Sequence, residues 1–394
     1  MSVDGNGPME ANLATIRIGI AGLGAASRLV LPCMAKVEGV RLTAAADIRA
    51  EARADFTRDH GLPAFESVEA LCDSGEVDAV WIETPNHLHC AHVLAAAERG
   101  LHVICAKPLA ASLAECDAMV VACRASGVRL LQGHSKIFDP PVHAMADIAR
   151  SGRLGRVIAI DSWWFNDWLR RPRLASELDQ NLGAGFILRQ APHLVDIACH
   201  IAGSRATRVR AMTGRWDADM PTEGNCSALI QFESATVANL SLNGYGYFRT
   251  SELTWDIGIF GERTASTKPA ARKVPLDASE KYRESMARET KTGDAMPFVG
   301  LTIVSCERGV MRQSPDGLYL YTDDGREEIP IPPYRGRAAE LIELRDALTE
   351  NRDVFPNGEW AKANLEICLA ILASAREGRD VNPRRSGDNS NAIR

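Results

Sequence analysis

A glycine-rich turn between a short apolar segment and a helical pattern is the feature that most restricts the fold of this chain. Residues 16–21, IRIGIA, have the composition of a strand, and a helical pattern begins at about Ala25. Between them stands GLGAAS, in which Gly22 and Gly24 occupy the first two glycine positions of a dinucleotide-binding turn and Ser27 the third. Such a turn brings the backbone close to a pyrophosphate at a helix N-terminus. We therefore expect dinucleotide contacts at Gly22, Gly24, Ala25 and Ala26.

The end of the next apolar segment indicates which dinucleotide binds. VRLTAAAD ends in Asp47, at the distance from the turn where an acidic residue accepts hydrogen bonds from the adenosine ribose. This predicts NAD, with Asp47, Ile48 and Arg49 at the ribose. NADP is the less favoured alternative, because Arg49 can hold a 2′-phosphate that Asp47 would repel.

Further apolar segments alternate with helical patterns. The strands VDAVWIETP and HVICAKP flank the helical segment HCAHVLAAAERG, which predicts a parallel, doubly wound α/β domain. Ligands of such sheets bind beyond the carboxyl ends of the strands, so we expect cofactor contacts from Thr84, Pro85, Asn86, His89 and Lys107. His87, His89 and His92 are an alternative metal-binding set. No carboxylate completes that set within the segment, and we expect no metal.

Composition limits the class of partner and the compartment. The 394 residues carry 45 basic and 51 acidic side chains, a formal net charge of -6, which argues against a nucleic-acid surface. No apolar run is long enough to span a membrane, and the N-terminus has no signal pattern. Ten scattered cysteines without a Cys-x-x-Cys pair are typical of free thiols in a reducing compartment. These patterns predict a cytoplasmic protein.

The second half of the chain has a different pattern. GRVIAIDSWWFND, TRVRAMTGRW, CSALIQFE, TVANLSLNGYGYF and LTWDIGIFG are read as strands of an antiparallel sheet. Residues 262–297 are charged and poor in apolar side chains, which predicts a solvated insertion, with a lid as the alternative. RAAELIELRDALTE and GEWAKANLEICLAILASAREG are read as closing helices. The expected organisation begins with a flexible leader at residues 1–14 and a Rossmann domain at 15–135. A substrate and oligomerisation domain follows at 136–381, and a disordered tail at 382–394.

Several stretches resemble the glucose-fructose oxidoreductase and inositol dehydrogenase family. They are GLGAASR, ETPNHLHCAHVLAAAERGLHVICAKPLA and SGRLGRV, and the resemblance runs from about Ile16 to Val381. It implies an α/β Rossmann domain followed by an α+β domain with an open-faced, mainly antiparallel sheet, and a homodimer or homotetramer. The family signature Glu-Lys-Pro implies that Lys107 lies by the nicotinamide and substrate, but Ala106 replaces the glutamate. Loss of that carboxylate predicts an easier loss of the Lys107 proton.

A second family motif matches GAGFILRQAPHLVD. It implies a catalytic role for His193, with Asp196 three residues later, whereas Arg189 stands where the family has an aspartate. A guanidinium four residues before His193, one helical turn away, offers a donor fork to a substrate carboxylate. The basic loop WLRRPR adds Arg171 as a second candidate contact. Trp164 is a candidate for the wall of a ring pocket, with a core position as the alternative.

The stretches GHSKIFDPP, WLRRPR, QAPHLVD, WDADMPTEG, IVSCERG and LEICLAILASAREGR resemble one branch of this family, the phthalate 4,5-cis-dihydrodiol dehydrogenases. The resemblance implies NAD-dependent oxidation of a small, anionic, cyclic cis-diol to a catechol-type product. Lys107 and His193 are the candidate acid–base residues, and the sequence does not decide which of them is the base. A sugar, inositol or sugar-acid dehydrogenase and a non-catalytic nucleotide-binding regulator are the alternatives.

Overall fold

A six-stranded parallel sheet forms the first domain of the chain, in a computed structural model that describes residues 15–263, 277–287, 293, 295–332 and 337–383. The strand order is β3-β2-β1-β4-β5-β6, and every neighbouring pair is parallel. The strands are β1 Ile16–Ala21, β2 Val40–Ala46, β3 Ala64–Phe65, β4 Ala79–Ile82, β5 His102–Cys105 and β6 Leu130–Gln132. The helices between them are α1 Ser27–Met34, α2 Ala50–His60, α3 Val68–Asp73, α4 His89–Glu98 and α5 Leu113–Ala125. All four residues of β4, AVWI, are buried, as expected where helices cover both faces of a parallel sheet.

An eight-stranded sheet forms the second domain. Its order is β14-β13-β12-β11-β7-β10-β9-β8, and only the β7–β10 pair is parallel. The strands are β7 Val157–Phe165, β8 Ala206–Gly214, β9 Asn225–Phe232, β10 Val237–Asn243, β11 Leu301–Cys306, β12 Gly309–Ser314, β13 Gly317–Thr322 and β14 Gly325–Pro330. The expected class, an α/β Rossmann domain with an α+β domain of mainly antiparallel sheet, is confirmed.

One face of the second sheet is covered by helices and the other is open. Buried and exposed residues alternate along β9, with Ile230 buried and Leu229 exposed, so a single face packs into the core. The remaining α-helices of the described residues are α6 Pro140–Ser151, α7 Ala175–Leu178, α8 Phe186–Ala202, α9 Ala278–Ala287, α10 Ala338–Thr349 and α11 Gly358–Glu377. α8 is the central element, since almost all of its side chains are buried between the sheet and its neighbours.

Two segments differ from the expected strands. LTWDIGIFG contains no strand, because the backbone turns at Trp255 and Asp256, which have φ values of 56° and 59°. The meander β11–β14 was not among the expected strands. Each of its strands has only 6 residues, so each carries a short pattern.

The insertion at 262–297 is more than a solvated segment where it is described. Tyr282 of α9 is buried, its ring centre lies 4.2 Å from the Arg49 guanidinium carbon, and its hydroxyl donates to Asp55 Oδ2 at 3.0 Å. α9 therefore packs on the first domain. Most of the other residues of the insertion, the leader at 1–14 and all but the first two residues of the expected tail lie outside the described residues.

The closing helices join the two domains. α10 packs its apolar residues in one cluster with those of α1, so it belongs with the first domain although the sequence boundary assigned it to the second. The chain after α10 also extends the first sheet at its edge, where Gln132 N donates to Pro356 O at 2.9 Å. α11 instead contacts α5, α8 and β8. No helix among the described residues is long and apolar enough to cross a membrane.

Candidate active site

The glycine-rich turn after β1 leaves open space at the N-terminus of α1. Gly22 has a φ of 98°, and a Cβ there would lie 2.9 Å from the backbone that follows β4. A Cβ at Gly24 would meet no heavy atom within 4 Å. Ser27 is buried and its Oγ donates to Gly24 O at 2.7 Å, which explains a small polar residue at the third position. Ala25 is exposed and Ala26 directly precedes α1, so this turn fits the pyrophosphate of a dinucleotide.

Asp47 lies at the carboxyl end of β2, beside this turn. Its Oδ2 accepts a hydrogen bond from Leu23 N at 2.8 Å, and the Arg49 guanidinium binds both of its oxygens, at 2.9 and 2.7 Å. Burial alone would raise the pKa of Asp47, but its hydrogen bonds from Arg49 and Leu23 lower it, so the carboxylate is ionised. Ile48 is 86% exposed next to it. An ionised carboxylate with an apolar neighbour fits an adenosine ribose, and the ion pair with Asp47 occupies the guanidinium that a 2′-phosphate would need.

The residues after β4 form the wall between the two domains. Thr84 Oγ1 lies 2.9 Å from His92 Nδ1, and Pro85 is exposed. Asn86 is buried and its Nδ2 donates to Gly183 O of the second domain at 3.0 Å.

His89 is buried, with Nδ1 3.0 Å from Pro108 O and Nε2 2.9 Å from Thr84 O, so it links this loop to the segment that follows Lys107. Direct cofactor contacts from these residues stay a prediction.

Lys107 lies just beyond the carboxyl end of β5, facing the second domain. Its Nζ donates to Arg189 O of α8 at 2.6 Å. Burial, followed by the positive charges of Arg189, Arg337 and Lys136, holds the pKa of Lys107 well below its usual range. Ala106 is buried and provides no carboxylate to oppose this. These surroundings favour the neutral amine, which is the form that can accept a proton.

His193 reaches the same cleft from α8. It is 7% exposed, and burial together with the charge of Lys107 holds its pKa well below the usual value. The Trp164 ring packs edge-on against the imidazole, with centroids 5.4 Å apart. Trp164 thus belongs to the covered face of β7 and orients His193, whereas its neighbour Trp163 lies on the open face. The structure brings Lys107, His193, Arg189 and Trp164 together.

Asp196 is not the partner of His193. Its Oδ2 accepts hydrogen bonds from Ser135 Oγ at 2.7 Å and Lys136 N at 2.6 Å. Its Oδ1 accepts from Trp360 Nε1 at 2.7 Å and Asn364 Nδ2 at 2.9 Å. The carboxylate therefore fastens α8 to α11 and to the segment after β6.

Arg189 extends its guanidinium between the domains. Nη1 donates to Asn86 Oδ1 at 3.3 Å, and Nη2 lies 3.5 Å from Glu177 Oε1. Arg171, by contrast, directs its guanidinium at Asp167 Oδ1, at 2.6 Å, and its side chain is about half exposed. Arg171 is thus placed with Asp167 and not with Arg189.

Two charged residues near this cleft, Glu177 and Lys281, were missed by sequence reasoning. The two residues form an ion pair with each other across the cleft, and Glu177 also faces Arg173 and Arg189. The i, i+4 spacing of Arg173 and Glu177 was a signal that the sequence carried. Lys281 lies 104 positions further along the chain, in a charged segment with no such signal. Within the described residues, no group of three or more His, Cys, Asp and Glu side chains is arranged to hold a metal ion.

Two family models match the chain, one in each domain. Residues 16–134 match the model described as the oxidoreductase family with an NAD-binding Rossmann fold. Residues 142–264 match the model of the GFO/IDH/MocA C-terminal domain. The boundary between the matched regions agrees with the boundary between the two sheets.

Individual relatives cover most of the chain. The 1-carboxy-3-chloro-3,4-dihydroxycyclohexa-1,5-diene dehydrogenase of Comamonas testosteroni is 31% identical over 92% of this chain and 95% of its own length. An NADP(+)-dependent D-xylose 1-dehydrogenase of Haloferax volcanii is 30% identical over 70% of this chain and 89% of its own length. A crystal structure from Bordetella bronchiseptica RB50, described as that of a dehydrogenase, superimposes with a TM-score of 0.85 at 35% identity, over 93% of this chain and all of that one.

Proposed function

Because this chain belongs to the GFO/IDH/MocA family of oxidoreductases, with an NAD-binding Rossmann domain, we propose that it oxidises a carboxylated cyclic cis-diol. A phthalate 4,5-cis-dihydrodiol is the proposed substrate type, and a catechol is the product. The expectations of this family, of a dehydrogenase and of NAD as cofactor are confirmed. The substrate and the roles of the individual residues are the proposal.

The observation that carries this proposal is a guanidinium next to the candidate acid–base pair. Arg189 takes the place of the family's aspartate, and its own carbonyl oxygen accepts the hydrogen bond from Lys107. A cation at that position favours an anionic substrate over a neutral sugar. The name of the Comamonas testosteroni relative describes a substrate with a carboxyl group and two hydroxyl groups on a six-membered diene ring, which supports the same class.

The two candidate acid–base residues act at one ring hydroxyl of the substrate. In the proposed reaction Arg189 orients the substrate carboxylate, and Trp164 keeps the His193 imidazole turned toward the cleft. Lys107 or His193, whose pKa values are both lowered, takes the hydroxyl proton while the C–O bond becomes a carbonyl. NAD⁺, when bound at the turn after β1 and near Asp47, supplies the acceptor for the hydride that leaves the same carbon. The resulting hydroxydienone tautomerises to an aromatic catechol, which makes the overall reaction favourable.

A sugar, inositol or sugar-acid dehydrogenase is the second candidate function. The D-xylose 1-dehydrogenase of Haloferax volcanii and a levoglucosan dehydrogenase of Pseudarthrobacter phenanthrenivorans, 28% identical over 64% of this chain, favour it. A nucleotide-binding regulator without catalysis is less favoured, because Lys107 and His193 are both present. Ala106 and the absent motif aspartate are its only support.

The proposal includes a homodimer or homotetramer in the cytoplasm, with no nucleic-acid or membrane partner. Large apolar side chains on the open face of the second sheet support self-association: Trp163, Met212 and Leu229 are all exposed there. All ten cysteines are free, as in a reducing compartment.

A substrate panel tests the proposed function. Purified protein is mixed with NAD⁺ and, separately, phthalate 4,5-cis-dihydrodiol, benzoate-derived cis-dihydrodiol, myo-inositol, D-xylose and D-gluconate, and formation of reduced nicotinamide is followed by absorbance. We expect turnover with the carboxylated dihydrodiols, and kcat/KM at least ~100-fold lower with the sugars and inositol. Faster turnover of a sugar would transfer the assignment to the second candidate. Binding of NAD without turnover of any compound would favour the regulator.

A further inference from the structure

Four charged side chains meet at the edge of the cleft beside Lys107, and we call them the Glu177 cluster: Glu177, Arg173, Arg189 and Lys281. Glu177 Oε1 lies 3.6 Å from Arg173 Nη1 and 3.5 Å from Arg189 Nη2. Glu177 Oε2 accepts hydrogen bonds from Lys281 Nζ and, at 2.8 Å, from Leu174 N. The cluster joins three separate parts of the chain, because Lys281 comes from α9 and Arg189 from α8.

The cluster has more positive than negative charge. Burial alone would raise the pKa of Glu177, but Arg189, Lys281 and Arg173 together lower it to about 2, so this carboxylate is ionised at neutral pH. Burial lowers the pKa of Arg173 to about 9, which leaves it charged at neutral pH as well. Burial also lowers the pKa of Lys281, and the charge of Glu177 opposes that effect. Three basic side chains thus surround one carboxylate. A partly buried excess of positive charge favours an anion that enters the cleft.

The three cations differ in how far they are available to a ligand. Arg173 is engaged elsewhere, because its guanidinium carbon lies 4.1 Å from the Trp168 ring centre and its Nη2 donates to Trp168 O at 3.2 Å. The side chains of Arg189 and Lys281 remain 28% and 24% exposed. The 3.5 Å between Arg189 and Glu177 is long for a hydrogen bond, so this guanidinium keeps donor capacity. Arg189 and Lys281 flank opposite oxygens of one carboxylate and are therefore neighbours.

Two neighbouring cations suit two carboxylates on adjacent ring carbons. We propose that Lys281 binds the second carboxylate of a vicinal dicarboxylate, while Arg189 binds the first, and that Lys281 thereby selects dicarboxylate over monocarboxylate dihydrodiols. This inference rests on the proposed function and adds the residue that determines its substrate class. Glu177 is a positioning residue, which holds the two cations charged and side by side. Tyr282, packed on the first domain, holds α9 so that Lys281 faces the cleft.

Charge removal at Lys281 tests the inference. Lys281→Met removes the charge and keeps the length of the side chain, Lys281→Arg keeps the charge, and Arg283→Met removes an exposed charge from the same helix as the matched control. With phthalate 4,5-cis-dihydrodiol, we expect Lys281→Met to raise KM about 10- to 100-fold with kcat within about threefold of the parent. With the benzoate-derived cis-dihydrodiol, KM should change less than about threefold. Lys281→Arg should recover most of the dicarboxylate preference, and Arg283→Met should behave as the parent. Equal changes in KM for both substrates, or none, would overturn the proposal.

A binding measurement separates this inference from the proposed function. Phthalate and benzoate, neither of which can be oxidised, are titrated calorimetrically into the protein saturated with NADH. The parent should bind phthalate at least about tenfold more tightly than benzoate, and Lys281→Met should lose that difference. If no dihydrodiol is turned over but this pattern holds, the proposed reaction fails and the dicarboxylate site stands. If phthalate and benzoate bind equally to the parent, the role of Lys281 is wrong whatever the enzyme oxidises. Lys281→Gln serves as a second charge-free variant if Lys281→Met does not fold.

Discussion

Lys107 shows how one residue can be placed in an unfavourable position for a chemical reason. A partly buried lysine loses hydration, and here three cations, Arg189, Arg337 and Lys136, further disfavour its charged form. The glutamate of the family signature, replaced by Ala106, would have opposed this effect. The hydrogen bond from Nζ to Arg189 O fixes the amine without supplying a counter-charge. The surroundings of Lys107 thus favour its neutral amine over an ion pair.

Restoring the carboxylate at position 106 should move the pH dependence of turnover. A base must be neutral to act, so activity falls as pH drops through its pKa. A nearby carboxylate raises the pKa of Lys107, so Ala106→Glu should move the acidic limb of the kcat profile to higher pH, by about 1 unit or more. Steady-state kinetics across pH measure the shift, with Ala106→Gln as the uncharged control of the same shape. Superimposable profiles for the parent and Ala106→Glu would mean that Lys107 is not the base.

At the scale of elements, α8 organises the candidate active site because almost all of its side chains are packed in the core. Its spacing of four and three residues sets Arg189, His193 and Asp196 on successive turns. Arg189 and His193 meet the cleft, whereas Asp196 meets α11 and the segment after β6. The four hydrogen bonds to Asp196 therefore fix the rotation that presents His193 to Lys107. Asp196 acts through the helix and is a positioning residue.

Removing the charge of Asp196 should cost mainly stability. In Asp196→Asn an amide N–H₂ replaces one oxygen and faces two donors, so we expect a loss of ~2–4 kcal/mol in the free energy of unfolding. Denaturant unfolding measures the change, and Asp147→Asn, at an exposed ion pair on α6, is the control and should change it by less than ~0.5 kcal/mol. An Asp196→Asn protein as stable as this control but without activity would instead assign Asp196 a catalytic role.

At the scale of the whole molecule, the candidate active site lies where the two domains meet. Lys107 belongs to the first domain, and Arg189 and His193 belong to the second. Gly183 allows the close approach, because a Cβ there would lie 2.5 Å from Ala111 Cα of the first domain, and its φ is 65°. Asn86 reinforces the junction through its hydrogen bond to Gly183 O. Contact between the domains therefore sets the position of Lys107 relative to His193 and Arg189.

A side chain at Gly183 should separate the domains. Gly183→Ala introduces both left-handed strain and a clash with Ala111, whereas Gly203→Ala introduces only the strain, since its φ is 58° and nothing lies within 4 Å of its Cβ position. We expect each variant to lose ~1–2 kcal/mol of stability from the backbone, and Gly183→Ala a further ~1–3 kcal/mol from the clash. Turnover should fall about tenfold or more in Gly183→Ala alone. Thermal unfolding and kcat measure both effects, and equal behaviour of the two variants would contradict a role for this contact.

Features that depend on residues close together in the sequence could be predicted. The glycine turn, Asp47 at the end of β2, Lys107 after β5 and the helix of His193 each depend on residues close in sequence, and the fold class and cofactor followed from them. The prediction of a strand at LTWDIGIFG was wrong, because an alternation of apolar residues contains no information on the two residues with left-handed backbone conformation. The β11–β14 meander was not predicted, because short strands have little pattern of their own.

Long-range charge balance was decided by the tertiary structure alone. The sequence predicted that a nucleotide-binding domain presents Lys107 to a second domain that carries His193 and Arg189. It contained no sign that Asp196 would turn away from His193, that Arg171 would pair with Asp167, or that Lys281 would cross the cleft to Glu177. Local backbone preferences act over a few residues, so they can be recognised in the chain. Electrostatic partners and burial depend on which distant segments pack together, and only the folded molecule brings those segments into contact.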